Sequence, residues 1–168
     1  RPALVHVITT KGKGYLPAEG DAVYFHGVPA NGVQNKDGAA KAIMTTDLEE
    51  KKIAVEVTAD NGKKMVIGGI AKGSGMIRPD MATMLAFIAT DAEVESNVLE
   101  SILKKANMTS FNSISVDGCQ STNDSVFLMA NSTSGVIIEE KSTDHEKLSR
   151  AVSFVMCELA KKIVMDGE

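Results

Sequence analysis

The sequence predicts an α+β fold, with layered β-sheets covered by helices, and three observations carry that expectation. Two β-rich runs, Ile53 to Ala59 and Met65 to Ile70, flank Asp60-Asn61-Gly62. Asn-Gly is a strong hairpin signal because it tolerates positive φ. A nearly continuous apolar run from Thr83 to Ala89 has the composition of a strand buried on both faces. Two later segments carry apolar residues at helical spacing, and hairpins followed by helices pack as sheets under helical cover.

Taken in chain order, Val5 to Thr9 reads as a buried strand and Lys11 to Gly14 as a polar turn. The hairpin and the Thr83 strand follow. Ser96 reads as an N-cap before Val98, Leu99, Ile102, Leu103 and Ala106 on one helical face. Ser113 to Val116, Ser125 to Ala130 and Gly135 to Glu139 read as strands. Asp144 reads as the cap of a last helix whose inner face is Leu148, Ala151, Val152, Val155, Leu159 and Ile163. His145 is expected in its first turn, exposed to water.

Composition narrows the function. One domain is the prior for 168 residues. Aromatics make up 4% with no Trp, so the core relies on aliphatic residues and nine Met. A net charge of −4 without a basic block argues against a nucleic-acid footprint. Cys119 and Cys157 are too far apart in sequence for a metal pair and read as buried thiols. His6, His26 and His145 show no spacing of metal ligands or of a catalytic base. With neither a signal peptide nor an apolar run of membrane-spanning length in view, a cytoplasmic protein without a membrane partner is expected.

The chemistry concentrates between Lys72 and Ala92. A turn with Gly73 and Gly75, then Pro79, leads into Ala82-Thr83 and the apolar run. Turn chemistry set against a buried strand holds a loop residue rigidly, where catalytic groups are often placed. An internal threonine has no base of its own. A threonine at a new N-terminus has one, because its α-amine, with a pKa near ~8, reaches its own hydroxyl. Read alone, the loop suits an ordinary strand entry, with Thr83 packing or capping, better than a catalytic site.

The segment Lys72 to Ala92 closely resembles the self-cleavage motif of the bifunctional ornithine acetyltransferase family. Ala42-Ile43-Met44-Thr45-Thr46-Asp47 is similar to that family's threonine segment, with Leu48 where another threonine is usual. Ile67 to Lys72 resembles the strand and lysine before the cleavage site. Ser110-Phe111-Asn112, Val116-Asp117-Gly118 and Ser121-Thr122-Asn123-Asp124 resemble the motifs after it, and Asp166-Gly167-Glu168 resembles the opening of a segment whose glutamate contacts substrate. The likeness covers about residues 37 to 168. It implies two sheets between helical layers, self-cleavage at Ala82–Thr83, and Thr83 as the nucleophile. It further implies Thr45, Thr46, Lys72, Thr83 and Glu168 as substrate contacts, with no cofactor and no metal. Asn123 and Asp124 suit either an Asx turn or a site role.

That family moves an acetyl group from N-acetylornithine to glutamate in arginine biosynthesis, through an acetyl-threonine in a ping-pong cycle. Acetyl-CoA as a further donor stays open. The two pieces left by cleavage are expected to remain together as a hetero-oligomer. Residues 1–36 stand apart: Leu4 to Tyr15, Pro17-Ala18-Glu19 and Phe25-His26-Gly27 resemble a piece of 1-deoxyxylulose-5-phosphate synthase, a thiamine-diphosphate enzyme. The chain is thus expected to be composite: a foreign segment, 1–36, joined to an ornithine acetyltransferase-like core, 37–168, whose fold is incomplete. A composite fragment without catalysis is the second reading. A thiamine-enzyme fragment is the third, and covers too little of the chain to compete.

The resemblance also generates a rate expectation. The family builds its oxyanion hole from a Thr-Gly pair upstream of Thr45, and no such pair in its motif precedes Thr45 here. Losing one oxyanion donor costs roughly 10²–10³ in rate. The isolated 168-residue chain is therefore expected to show negligible acetyl transfer from N-acetylornithine to glutamate. An assay with Thr83→Ala as the blank tests this, and turnover near that of an intact family member would refute it.

Overall fold

The computed structural model describes residues 3–8, 36–75, 84–116 and 124–167, with β1 described through its backbone. The described strands are β1 (Ala3–Ile8), β2 (Lys51–Thr58), β3 (Lys64–Lys72), β4 (Leu85–Thr90), β5 (Glu93–Val94), β6 (Ser125–Ala130) and β7 (Ile137–Ile138). The helices are α1 (Lys36–Ala42), α2 (Ser96–Met108) and α3 (Thr143–Gly167). Five strands form one sheet in the order β1-β6-β4-β3-β2, and β5 pairs with β7 in a short parallel sheet beside it. The architecture is α+β, a sheet layered against helices.

The hairpin forms where Asn61-Gly62 predicts it. Gly62 adopts φ 79°, and Ala59 N–H closes the turn on the Lys63 carbonyl at 2.8 Å. β2 and β3 are antiparallel, β3 and β4 antiparallel, β4 and β6 parallel, and β6 and β1 antiparallel. The apolar run after Thr83 thus becomes the central strand of five, bonded on both sides. Its burial is one-faced rather than two-faced: Ala86, Ile88 and Thr90 are buried, while Leu85, Phe87 and Ala89 are partly exposed. The half-exposed face carries a stacked Phe87–Phe127 pair with centroids 5.0 Å apart.

The buried face is what the helices cover. Side chains alternate across a strand, so Met65, Ile67, Gly69 and Ala71 of β3 line up with Ala86 and Ile88 of β4 and with Val126 and Leu128 of β6. Onto them pack Leu99, Ile102 and Leu103 of α2 and Leu148, Val152, Val155, Leu159 and Ile163 of α3. These are the inner faces that helical spacing predicts. α3 comes very close to β3 because residue 69 is glycine: a Cβ there would stand 2.9 Å from Leu159 Cδ1 and 3.0 Å from Val155 Cγ1.

Five expectations change in detail. Ser96 is the first residue of α2 rather than its cap, since Leu99 N–H already bonds the Glu95 carbonyl at 2.9 Å. Ser142 caps α3 in place of Asp144, its Oγ accepting from His145 N–H at 3.0 Å. Asp144 instead accepts the Asp60 N–H at 2.9 Å and so ties the hairpin turn to the helix. Phe111–Ser113 is a 3-10 turn and residues 114–116 are irregular, because Ser113 N–H and Oγ both bond the Ser110 carbonyl. His145 lies in the first turn as expected and is partly buried. Cys157 is a partly buried free thiol 3.4 Å from the Thr109 carbonyl, and Cys119 lies outside the described residues.

The close β3–α3 approach yields a stability prediction. Gly69→Val drives branched carbons into Leu159 and Val155, and overpacking of this kind costs about 1–3 kcal/mol. Urea unfolding is expected to show a lowered midpoint at unchanged slope. An unchanged midpoint would mean that α3 shifts away freely.

Candidate functional site

One end of the sheet gathers the candidate residues. Lys72 is the last residue of β3 and pairs with Leu85, the first of β4, which pairs in turn with Ser125, the first of β6. Gly73, Met84 and Asp124 therefore sit side by side just beyond that line. Ser125 N–H bonds the Met84 carbonyl at 3.1 Å, and the Asp124 carboxylate accepts the Met84 N–H at 2.6 Å. The position before Met84 is Thr83.

The loop after α1 reaches the same place. Lys72 Nζ donates to Thr45 Oγ1 at 3.4 Å, and Thr46 Oγ1 and Ser74 Oγ share a hydrogen bond at 3.0 Å. Thr45, Thr46 and Lys72, chosen from sequence, are thus brought together on facing segments. Asp47 fastens those segments by accepting the Gly73 N–H at 2.6 Å and the Thr45 N–H at 3.1 Å. Leu48, the departure from the threonine motif, points an 82% exposed side chain outward. Its role is carried by its backbone, whose N–H bonds both Asp166 oxygens at 3.1 Å. Ala82, Thr83 and Glu168 lie outside the described residues.

Electrostatics separate Asp47 and Asp124, the buried carboxylates gathered at this end of the sheet. Burial pushes the Asp124 carboxyl up to about 7, against the opposing pull of the Met84 N–H and the nearby Lys72 charge. Burial also pushes Asp47 upward, but the Lys51 ammonium and the Gly73 and Thr45 N–H groups outweigh it and hold that carboxyl below its usual range. One acid therefore stays ionised at neutral pH while the other is poised to exchange a proton, next to the amine of Lys72. Such pairs with opposed environments are the usual pattern of acid–base sites.

Sequence reasoning left Asp124 undecided and passed over Asp47, Lys51, Ser74 and Asp166. Asp124 closes the Ser121-Thr122-Asn123-Asp124 motif, but its partner is Met84, forty positions earlier, rather than a local Asx turn. Asp47 and Asp166 likewise sit inside the Ala42–Asp47 and Asp166–Glu168 motifs, and only their long-range partners reveal what they do.

The ArgJ family model matches residues 20–168, beginning inside the segment 1–36 that the sequence reading sets apart. A protein of Methanocaldococcus jannaschii named glutamate N-acetyltransferase is 55% identical over 132 residues, covering 77% of this chain and 32% of the relative. The arginine biosynthesis bifunctional protein ArgJ of Methylococcus capsulatus is 51% identical over 133 residues, covering 79% of this chain and 32% of its own length. ArgJ 1 of Clostridium acetobutylicum is 45% identical over 157 residues, covering 91% of this chain and 38% of the relative. The chain spans about a third of the length of the curated relatives it matches.

Asp124 gives this site a pH signature. Its folded value, about 7, exceeds the unfolded 3.8. Between those values the folded chain keeps a proton that the unfolded chain has lost, so this group's contribution to stability is full below the window and falls as pH rises through it. Asp124→Asn, which retains an oxygen for the Met84 N–H, is expected to remove that fall. Urea midpoints from pH 4 to 8 test it, and parallel profiles for the two proteins would count against a raised Asp124.

Proposed function

The chain belongs to the ArgJ family, and from that premise we propose that it carries the nucleophile half of an acetyl transfer from N-acetylornithine to glutamate. The observation that carries the proposal is the convergence of Lys72, Thr45, Thr46 and Asp124 on the entry to central strand β4, where Thr83 precedes Met84. In this reading the Thr83 hydroxyl attacks the Ala82 carbonyl carbon, the Ala82–Thr83 C–N bond breaks, and the hydroxyl proton passes to the freed amine. Water then hydrolyses the ester, leaving the Ala82 carboxylate and an N-terminal Thr83. The free amine of Thr83 next takes the proton of its own hydroxyl as that oxygen attacks the acetamide of N-acetylornithine. Ornithine departs with a proton, and the amine of glutamate removes acetyl from the threonine ester.

The described residues suit these tasks. Asp124 fixes the peptide that follows Thr83 by its 2.6 Å bond to the Met84 N–H. Lys72 sets a positive charge beside it, of the kind that attracts a substrate carboxylate. Thr45, Thr46 and Ser74 offer hydroxyls within the same cluster. Glu168 follows Gly167, whose backbone abuts Ser74, and is assigned the substrate amine. The two pieces are assigned to one hetero-oligomer in the cytoplasm, and acetyl-CoA remains a donor to be assayed.

Intact mass under denaturing conditions, followed over days at neutral pH, tests the reading. Pieces corresponding to residues 1–82 and 83–168 are expected from the parent chain where it is correctly folded with a complementary partner segment, and none from Thr83→Ala. Splitting of Thr83→Ala at the same bond would assign the cut to a contaminating protease and sink the mechanism. A parent chain that stays whole when folded with that partner segment would sink it equally.

A further inference from the structure

Lys51 is a charged side chain where charge is expensive. It opens the edge strand β2, its side chain is 1% exposed, and its ammonium lies 2.7 Å from Asp47 with a second, closer contact to Asp166. Those partners are 4 and 115 positions away in sequence. Ion pairs removed from water rarely repay their desolvation in net stability, whereas removing one member strands the other's charge. Stability alone is a weak reason for the arrangement.

What the two carboxylates hold supplies a better one. Asp47 grips the backbone of the threonine loop at Thr45 and of the β3 turn at Gly73. Asp166, at the end of α3, grips the same loop at Leu48. The helix end and the turn also touch directly, since a Cβ on Gly167 would stand 2.6 Å from the Ser74 carbonyl oxygen. Charge-assisted hydrogen bonds of this kind fix direction as well as distance, which an apolar filler in place of Lys51 would not.

We propose that Lys51 is a positioning residue of the substrate site: by joining Asp47 to Asp166 it holds the Thr45–Thr46 loop, the Lys72–Ser74 turn and the end of α3 in one register. This rests on the reading of Thr45, Thr46 and Lys72 as substrate contacts. Without the ammonium, two carboxylates face each other with like charge, and the loop and the turn they hold are driven apart.

The test uses the full 168-residue chain carrying Lys51→Met and, separately, Asp166→Asn, which keeps an oxygen for the Leu48 N–H but loses the charge. Amide hydrogen exchange is followed at Leu48 and Gly73, with Ile88 and Leu159 as core references, and N-acetylornithine affinity is measured by calorimetry. In Lys51→Met the two loop amides are expected to exchange at least about tenfold faster, the factor that one net hydrogen bond carries, while the core references hold. Affinity is expected to fall about tenfold in step. Asp166→Asn moves both readouts in the same direction by less, and decides the matter should Lys51→Met fail to fold. Unchanged loop exchange overturns the clamp, and loosened loops with unchanged affinity overturn its part in the site. A parent chain that does not bind N-acetylornithine sinks the substrate reading instead, and the exchange rates then decide the clamp by themselves.

Discussion

The register of three strands governs this structure. Lys72, Leu85 and Ser125 pair in one line at the end of the sheet, with β4 antiparallel to β3 and parallel to β6. Because side chains alternate strictly along a strand, a slip of one residue would move Ile67, Gly69, Ile88 and Leu128 from the helical side to the open side. Burial of that face against α2 and α3 therefore locks the register. The locked register in turn sets Gly73, Met84 and Asp124 side by side. Core packing and site geometry share one cause.

From that line the site assembles by polar contacts between segments remote in sequence. Asp124 reaches across to Met84, Asp47 to Gly73, and Asp166 to Leu48. Asp124 and Asp47 accept the buried N–H groups of Met84 and Gly73, which would otherwise be unpaired away from water. The two inner acids nevertheless differ. Asp47 has Lys51 and two backbone N–H groups against it and remains charged, whereas among the described residues Asp124 has the Met84 N–H and the Lys72 charge to offset its burial. Depth and the donors at hand together decide which acid holds its proton.

The family relationship and the geometry bear on different questions. Membership rests on a match over residues 20–168. The chain covers about a third of its relatives' length, so the chemistry assigned to Thr83 belongs with the proposal. The first strand adds a structural fact about residues 1–36: Ala3–Ile8 runs antiparallel to β6 as an edge strand of the same sheet.

By itself the sequence determined the local elements. Asn61-Gly62 specified the hairpin, a run of short and branched apolar residues specified β4, and helical spacing specified the inner faces of α2 and α3, because each of these signals is a short-range property of the backbone. It also marked Thr45, Thr46 and Lys72 through motif likeness. It misplaced the caps of both long helices and read residues 113–116 as a strand, since which nearby hydroxyl or carbonyl closes a turn depends on a balance of weak local bonds. Tertiary structure alone decided that β4 is buried on one face, that Asp124 belongs to Met84, and that Lys51 stands between Asp47 and Asp166. Those facts depend on partners as far as 115 residues apart. No local pattern encodes such a meeting, because the burial that makes a charge seek its partner exists only once the sheet and α3 have closed over it.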